Sequence, residues 1–297
     1  MHRVCGMGPP SSGMIAIAQT LAFVAPHDLG KIPLGPDAMH IIAEAQKLAY
    51  ADRDRYVADP DVVTVPGGLL DPEYLSARAK LVATDAVTAK AEPGVPPGVV
   101  PSRTGVDATI EQAGTSHVSI VDADGNAVAL TTTIENAFGS RLMAAGFLLN
   151  NQLTDFSFRP VDAAGVPIAN AVAAGKRPRS SMAPTIVFGP DGRLFAVLGS
   201  AGGSRIPLHV TKALVALIDW GLDAQAAADL AHFGSRNGPF EIETAMAGVM
   251  AGLKMAARGH TVEHVSAPSG LHIVVTRRDG TLEGGADPRR EGEARGD

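Results

Sequence analysis

Cysteine is almost absent from this 297-residue sequence, in which Cys5 is the single example. One thiol excludes a disulfide within the chain and any zinc site built from several cysteines, so cysteine usage does not distinguish cytosol from periplasm. Basic residues are also few, because 25 Lys and Arg stand against 31 Asp and Glu, for a formal net charge of −6. This acidic balance excludes the electrostatic footprint of a protein that binds nucleic acid or an anionic membrane surface.

Long apolar runs are missing too, since no stretch of the sequence reaches the roughly 18 residues that a membrane-spanning helix needs. The apolar segment 14–25 contains Gln19 and follows a Gly-Pro-Pro-Ser-Ser-Gly sequence instead of a basic region. A signal peptide is one interpretation of this segment, but its flanks favour a buried helix entered through a turn. The 45% of hydrophobic residues, with 33 Gly and 21 Pro, are typical of a folded, loop-rich protein of one large or two ordinary domains.

Helical periodicity recurs along the chain. Apolar residues with helical spacing predict a helix over 36–57, before the breaker Asp59-Pro60. Asp71 and Pro72 supply an N-cap and a first-turn proline for a second, short helix. Further helices are predicted over 207–220, 223–232 and 244–258.

Three pairs of predicted strands are each joined by a turn that contains Asp-Gly. The run 117–121 passes through Asp124-Gly125-Asn126 into the alternating, β-branched run 127–134, which predicts a β-hairpin. The same pattern recurs at 185–188 with 194–198, and at 271–276 with the segment after Asp279-Gly280. Antiparallel hairpins followed by grouped helices favour an α+β fold over repeated βαβ units.

An extended linker is predicted over residues 93–114, where four prolines and four glycines show no periodicity. At its end Gly114 meets Thr115, so a hydroxyl residue stands at the start of a strand. If the chain were cut there, the new α-amine of Thr115, with an unperturbed pKa of about 8, would lie beside its own hydroxyl as a general base. On spacing alone, an ordinary strand start explains the same residues.

The sequence does not match the other catalytic and ligand-binding motifs that we considered. The segment 199–205 follows a strand and precedes a helix, but it lacks the lysine of a P-loop and the spacing of a dinucleotide motif. Its unhindered N–H groups suit an anion or a developing oxyanion, and a plain tight turn is the alternative. No Gly-x-Ser-x-Gly elbow occurs. His260 and His264 flank the predicted end of a helix and a strand, so we predict surface histidines and no metal site.

A series of motifs begins at the strand start just described. The run 115–122, with the turn and strand up to residue 129, closely resembles the start of the small subunit of the γ-glutamyltranspeptidases, the glutathione hydrolases. Further motifs agree in order at 131–133, 138–140, 148–156, 176–185, 199–206 and 287–290. Upstream, three segments resemble the last part of that family's large subunit, namely residues 9–13, 43–45 and 50–53. The resemblance covers nearly the whole chain.

This resemblance implies the four-layer αββα sandwich of N-terminal nucleophile hydrolases, here lacking part of the large subunit. Residues 1–114 would be the end of the large subunit with its linker, and residues 115–297 the small, catalytic subunit of a heterodimer made from one precursor. The implied substrates are γ-glutamyl amides such as glutathione, with water or an amino acid or peptide as acceptor and with no cofactor or metal. Export to the periplasm or out of the cell is expected by the same analogy.

The resemblance also implies roles for individual residues. The precursor would cut itself before Thr115, whose hydroxyl would then attack the amide and form an acyl-enzyme. Thr133 would hydrogen-bond the Thr115 hydroxyl, and the N–H groups of Gly202 and Gly203 would stabilise the oxyanion. The residues expected to bind substrate are Glu135, Gln152, Asp155, Ser180 and Ser181.

Those five residues divide by charge. Gln152 and Asp155 would hold the substrate α-ammonium, since a carboxylate is the natural partner of an ammonium group. Ser180 and Ser181 would bind the α-carboxylate. Glu135 stands where well-studied transpeptidases place an asparagine, and its carboxylate would attract an α-ammonium but repel an α-carboxylate. Relatives that act on other amides, such as the cephalosporin acylases, keep this scaffold.

Two further departures from the family bear on function. The part of the large subunit without a counterpart here includes the arginine that clamps the α-carboxylate, and losing it should weaken recognition of that group and expose apolar surface. The segment 159–175 is short and has no tyrosine, whereas some relatives cover the site with a tyrosine-bearing lid. An open site would favour water over an amine as acceptor.

Three hypotheses follow from these residues. The first is a self-processing threonine-nucleophile amidohydrolase of the γ-glutamyltranspeptidase family. The second is a truncated, inactive chain or a non-catalytic partner module with the same local fold. The third is a related acylase with a non-glutamyl donor.

Overall fold

The computed structural model describes residues 1–99, 104–109 and 114–296. Within them the helices are α1 (Gly13–Val24), α2 (Pro36–Tyr56), α3 (Pro72–Ala79), α4 (Ile206–Ile218), α5 (Ala224–Asp229) and α6 (Met246–Ala257). The strands are β1 (Arg3–Cys5), β2 (Thr115–Val121), β3 (Ala127–Thr133), β4 (Met143–Ala144), β5 (Phe147–Leu148), β6 (Thr185–Phe188), β7 (Leu194–Gly199), β8 (Phe233–Gly234), β9 (Phe240–Glu243), β10 (Val262–Val265), β11 (His272–Thr276) and β12 (Leu282–Ala286). Short 3-10 turns occupy Gly67–Leu70, Gln152–Asp155 and Gly203–Arg205. No helix among the described residues is both long and apolar enough to cross a membrane.

Two β-layers form the centre of the molecule. A five-stranded antiparallel sheet runs in the order β1-β6-β7-β11-β12, and the β2-β3 hairpin packs against its β6, β7 and β11 strands. The three Asp-Gly hairpins lie where the sequence predicts them, and their strands pair antiparallel as expected. A smaller sheet has the order β10-β9-β8 and is not purely antiparallel. Its strands β9 and β10, which α6 connects along the chain, pair in parallel.

Helices cover the face of the five-stranded sheet opposite the hairpin. Helix α4 contacts β7, α5 contacts β11 and β12, and α1 and α2 pack next to α4. One cluster of buried apolar side chains joins these helices to the sheet. The described residues therefore supply one helix layer and two β-layers of the expected four-layer sandwich.

Helix α1 is the buried helix that the sequence favours over a signal peptide, since eight of its twelve residues are buried. Helix α2 begins at Pro36, as predicted, and is buried along most of its length. Inside it, the carboxylate of Asp52 accepts hydrogen bonds from Gln19 of α1, from Tyr74 and Arg78 of α3, and from the N–H of Gly94. A buried carboxylate with four donors is fully satisfied, and it fixes α2 relative to α1 and α3.

The helix predicted over 223–232 is shorter than expected, because α5 ends at Asp229. Residues beyond it hydrogen-bond to β9 instead of continuing the helix, since Glu243 donates its N–H to the carbonyl of His232 at 2.9 Å. Strand β8 follows at once at Phe233. Sheet pairing with a segment eleven residues further along the chain therefore overrides the local helical pattern.

The linker predicted over 93–114 is anchored where it is described, and residues 100–103 and 110–113 lie outside the described part of the chain. The N–H of Gly105 donates to the carbonyl of Pro167 at 2.7 Å. The buried carboxylate of Asp107 accepts from Arg179 and Asn170, each at 3.1 Å. Residues 104–109 are therefore held against the loop that precedes β6.

Apolar side chains are exposed on the outer face of the β2-β3 hairpin. Val118, Ile120, Val128 and Leu130 are each between 44% and 52% exposed. Large apolar side chains in the following loops are also exposed, namely Phe138, Leu142, Met143, Phe147, Leu153 and Phe158. A continuous apolar face of this kind is unusual for a surface in water. The predicted exposure of apolar surface is therefore confirmed.

Candidate active site

Thr115 is the first residue of β2, and it is buried in the interior, with 5% of its surface exposed. The hairpin register places it directly opposite Thr133, the last residue of β3. Both side chains therefore lie on the same face of the hairpin, at the end where the linker enters. The structure brings this predicted pair together.

The Thr133 hydroxyl touches the peptide bond that precedes Thr115. Its Oγ1 donates to the carbonyl of Gly114 at 3.1 Å and accepts from the N–H of Glu135 at 2.8 Å. Because the hydroxyl proton is directed at the Gly114 carbonyl, attack on that carbonyl would find a donor already placed for its oxyanion. Thr133 therefore binds the carbonyl before Thr115, whereas the resemblance implies a bond to the Thr115 hydroxyl.

His117 lies two residues along the strand from Thr115, and it is the nearest alternative base in the sequence. Its Nδ1 bonds the Thr131 hydroxyl at 2.7 Å, and its Nε2 bonds the Ser119 hydroxyl at 3.0 Å. Burial lowers the pKa of His117 to about 3. Both ring nitrogens are engaged away from Thr115, so His117 is not placed to act as a base for the Thr115 hydroxyl.

A glycine turn forms the second part of the site. Gly202 has φ 137° and Gly203 φ 57°, and the turn leads directly into α4. A Cβ on Gly202 would lie 2.8 Å from Cε1 of His209, so no larger residue fits there. Among the residues that the structure describes, none accepts a hydrogen bond from the N–H of Gly202 or Gly203. Both donors are thus available for an oxyanion.

Glu135 follows β3 in a left-handed backbone conformation, with φ 73°. Its side chain is buried, and Oε2 accepts from Asn151 Nδ2. The other oxygen, Oε1, is buried without a hydrogen-bond partner in the described structure. A non-glycine residue at positive φ is strained, and a buried unpaired carboxylate oxygen is costly, which is typical of a functional position.

The 3-10 turn Gln152–Asp155 carries the predicted ammonium partners. Asp155 lines the same cleft as Thr115 and Glu135, whereas Gln152 lines a neighbouring cleft of about 410 Å³ that it shares with Asp155 and Ser180. The structure therefore brings Asp155 next to the threonine pair and places Gln152 one step further out.

Ser180 and Ser181 are held against the start of α1 by the motif that precedes it. Ser180 O accepts from both the N–H and the hydroxyl of Ser12, and Ser180 N donates to the carbonyl of Pro10. A Cβ on Gly13 would lie 2.7 Å from Ser181 O, so the helix approaches this closely only because residue 13 is glycine. The upstream motif 9–13 thus positions the serine pair.

Seven of the nine predicted residues line one small cleft of about 20 Å³, namely Thr115, Thr133, Glu135, Asp155, Ser180, Ser181 and Gly203. That volume holds about one water molecule, and a glutamyl group needs far more. In this uncut chain Gly114 packs on the backbone of Glu135, where an added Cβ would come within 1.7 Å of the Glu135 carbonyl. Gly114 therefore occupies space beside Thr115. A larger cavity of about 720 Å³, lined by Val106, Phe158 and Ile168 among others, includes none of the nine.

Two arginines that touch the site were not among the predicted residues. Arg53 of α2 donates to the Ser181 hydroxyl at 2.6 Å, and Arg290 donates to the carbonyl of Thr115 at 2.7 Å. Both lie within motifs that carried the resemblance, 50–53 and 287–290. Their contacts join positions 128 and 175 residues apart, and no local pattern reveals such pairs.

The prediction that His260 lies on the surface is wrong, although His264 is exposed. His260 is buried, and its Nε2 lies 2.7 Å from Nδ1 of His40, with Glu44 close enough for the three to hold a metal ion. The ammonium of Lys47 binds Glu44 at 2.7 Å, and this charge opposes a dication. Burial lowers the pKa of His260 to about 4, so the ring is neutral in a contact that ties α2 to the segment after α6.

The chain is similar to known proteins in sequence and in structure. A model of the family described as Gamma-glutamyltranspeptidase matches residues 1–296. The Glutathione hydrolase proenzyme of Escherichia coli (strain K12) is 41% identical over 302 residues, covering 97% of this chain and 50% of that protein. The Acylase ACY 1 proenzyme of Pseudomonas sp. (strain V22) is 34% identical, covering 98% of this chain and 49% of that protein. The chain spans about half the length of these curated relatives.

A solved structure extends the likeness to three dimensions. The crystal structure of cephalosporin acylase from Bacillus halodurans superposes with a TM-score of 0.81 at 26% identity, covering 98% of this chain and 50% of that one. The predicted fold, that of the N-terminal nucleophile hydrolases, is confirmed. Since the family match and the shared fold each extend over nearly all of its residues, the chain belongs to the gamma-glutamyltranspeptidase family of enzymes.

Proposed function

We propose that the chain is the catalytic part of a self-processing amidohydrolase that uses Thr115 as its nucleophile. The proposed substrates are γ-glutamyl amides such as glutathione, and water is the preferred acceptor. The observation that carries this proposal is the hydrogen bond from the Thr133 hydroxyl to the carbonyl of Gly114, because it presents the bond before Thr115 for attack.

Self-processing comes first in this mechanism. The Thr115 hydroxyl attacks the carbonyl carbon of Gly114, the Gly114–Thr115 amide bond breaks, and the Thr115 nitrogen takes a proton to become an α-amine. The resulting ester between Thr115 Oγ and Gly114 is then hydrolysed by water, which frees the hydroxyl. Residues 1–114 and 115–297 become the two subunits of one heterodimer.

Amide hydrolysis then uses the same hydroxyl. The α-amine of Thr115 takes the hydroxyl proton while Oγ attacks the substrate carbonyl, and the Gly202 and Gly203 N–H groups stabilise the oxyanion. The proton passes to the departing amine, and an ester remains on Thr115. Water, deprotonated by the same α-amine, cleaves that ester and releases the acid. Asp155 and Gln152 hold the substrate ammonium, and Ser180 and Ser181 hold its carboxylate.

Removing the Thr133 hydroxyl tests the first step. Thr133→Val keeps the side chain's shape and deletes the donor to the Gly114 carbonyl, so we expect self-cleavage to slow by about 10²- to 10³-fold. Band intensities on a denaturing gel against time give the rate. Thr132→Val changes the exposed neighbour on the opposite face of β3 and should cleave at the wild-type rate. Equal rates for Thr133→Val and wild type would contradict the role assigned to this hydroxyl.

Substitutions of Glu135 test whether the acyl donor is a γ-glutamyl group. If the donor carries an α-carboxylate, Glu135→Asn removes a repelling charge, and kcat/KM for a γ-glutamyl anilide should rise about five-fold, or roughly 1 kcal/mol. Asparagine also accepts the left-handed backbone at φ 73° more readily than glutamate, so stability should not fall. Glu135→Gln, which removes the charge and keeps the length, is the matched variant. Unchanged or lower turnover in both variants would count against a γ-glutamyl donor.

An acylase with a non-glutamyl donor is the second candidate, and the unpaired Oε1 of Glu135 favours it. Two carboxylates, Glu135 and Asp155, line this cleft, and the cations nearby are Arg53, at the Ser181 hydroxyl, and Lys176, in the neighbouring cleft. A donor with an ammonium or amide group and no carboxylate would satisfy that oxygen. Relatives named as acylases are consistent with this alternative.

The hypothesis of an inactive chain or partner module depends on the exposed face of the hairpin. We place the part of the fold that longer relatives have, and that has no counterpart here, on the apolar face formed by Val118, Ile120, Val128 and Leu130. Covering this face would bury apolar surface, the main source of association energy. A chain that needs this cover for activity would stay inactive alone. Export from the cytosol stays a prediction from resemblance.

A further inference from the structure

The C-terminal segment after β12 reaches back to the nucleophile. The guanidinium of Arg290 donates from Nη1 to the main-chain carbonyl of Thr115 at 2.7 Å. This carbonyl belongs to the residue that the proposed function makes both nucleophile and base. The bond involves the main-chain oxygen of Thr115, so it does not occupy the hydroxyl or the nitrogen that the proposed reaction uses.

A buried carboxylate three residues earlier fixes the turn that carries Arg290. Asp287 accepts hydrogen bonds from the Ser269 hydroxyl at 2.5 Å and from the N–H of Leu271 at 3.1 Å. Arg289 also binds it, through both its N–H and its guanidinium at 3.0 Å. With this many partners, Asp287 holds the turn in one conformation.

The stem of Arg290 passes the oxyanion turn on its way to Thr115. A Cβ on Gly270 would lie 3.5 Å from Cδ of Arg290 and 3.3 Å from the Cβ of Ala201, the residue before Gly202. Gly270 thus lies between the arginine stem and the glycine turn. The C-terminal segment therefore binds Thr115 directly and reaches the residue before the glycine turn through Gly270.

We propose that Arg290 is a positioning residue, which fixes the main chain of Thr115 relative to the Gly202–Gly203 turn. This inference rests on the proposed function of Thr115. Strand β2 pairs with β3 on one side only, and Arg290 binds the carbonyl of its first residue. Without that bond the end of the strand would fray, and attack from Thr115 would lose its alignment.

The charge of Arg290 adds a second effect after cleavage. A guanidinium beside Thr115 favours the neutral form of its α-amine, the form that acts as base. Two carboxylates, Glu135 and Asp155, line the cleft and act in the opposite direction. His117 on β2 is neutral, its pKa being lowered to about 3 by burial, and His272 lies on β11 behind the hairpin. Three positive charges lie near these carboxylates, namely Arg53 at the Ser181 hydroxyl, Lys176 in the neighbouring cleft and Arg290. Of the three, Arg290 is the one that binds Thr115 itself.

The test compares Arg290→Gln and Arg290→Lys with wild type in the full 297-residue chain. We expect Arg290→Gln to slow self-cleavage by about 10- to 100-fold, with partial rescue by lysine, which keeps the charge and loses the fork. In cleaved enzyme the acid limb of kcat/KM should move up by roughly one pH unit in Arg290→Gln. Arg193→Gln removes an exposed arginine from a distant turn and should behave as wild type.

A second measurement does not need cleavage. In the uncut Thr115→Ala chain, adding Arg290→Gln should speed hydrogen exchange of a peptide covering residues 114–118 and leave the β11-β12 hairpin unchanged. If wild type does not cleave, self-processing fails as a function, and this exchange alone decides the role of Arg290. Unchanged exchange would overturn the inference. Faster exchange with wild-type cleavage rate and pH profile would also overturn it, since Arg290 would then hold structure only.

Discussion

Replacing Thr115 by alanine should abolish cleavage of the chain and reduce amide hydrolysis by roughly 10³-fold or more, because both reactions lose their only nucleophile. Thr115→Ser should keep both reactions at lower rates, since it retains the hydroxyl but loses the methyl group that restricts the rotamer. Cleavage is followed by gel, and hydrolysis is followed by release of a chromogenic amine from a γ-glutamyl anilide.

Ser116→Ala is the matched control, because Ser116 is the next hydroxyl along the strand and its side chain is exposed on the other face. It should cleave and hydrolyse as wild type does. Full hydrolysis by Thr115→Ala would show that another group carries the reaction. Loss of cleavage in both alanine variants would point to damage to the strand.

The second large effect is expected at Gly202. Gly202→Ala would place a Cβ 2.8 Å from His209 in a backbone conformation, φ 137°, that residues with side chains rarely adopt. The turn must then move, so its N–H donors leave the oxyanion position, and kcat should fall by about 10²- to 10³-fold. Strain should also lower the free energy of unfolding by about 1–3 kcal/mol. Steady-state kinetics and thermal unfolding measure the two effects.

Gly192→Ala is the control that separates the effect of backbone strain from the loss of oxyanion stabilisation. Gly192 also has positive φ, at 78°, but an added Cβ there meets nothing within 4 Å, and the residue lies in the β6-β7 turn. It should lose a similar or smaller amount of stability with normal kcat. A Gly202→Ala variant with normal kcat would remove the glycine turn from the proposed mechanism.

Local chemistry explains why much of the fold was predictable. Helix α2 begins at Pro36 and ends within a residue of the predicted end, because proline and helical spacing act within the segment itself. The β2-β3 hairpin follows from Asp124-Gly125-Asn126, where Gly125 has φ 81°. Each of these elements is specified by its own residues, so a single sequence is enough.

Elements defined by distant partners were missed. Strands β8, β9 and β10 are two to four residues long, and they exist because they pair with one another around α6. His260 is buried because His40, 220 residues earlier, provides its hydrogen bond. Nothing in the neighbourhood of either histidine signals this contact.

The residues of the site also divide into those that sequence motifs identify and those that only the structure reveals. Thr115, Thr133 and the serine pair were identified by resemblance, and the structure places them along one cleft. Spacing alone gave only a hydroxyl at the start of a strand. Arg290 was missed because it acts through the main chain of Thr115, and a bond to a carbonyl leaves no signature in the type of residue that accepts it.

Intact mass spectrometry of the purified 297-residue chain, before and after incubation, tests the central claim without any choice of substrate. The account predicts two fragments whose masses correspond to residues 1–114 and 115–297, and a single uncut mass for Thr115→Ala under the same conditions. Cleavage at any other bond, or the same fragments from Thr115→Ala, would contradict it. A wild-type chain that stays whole would contradict self-processing by this chain alone.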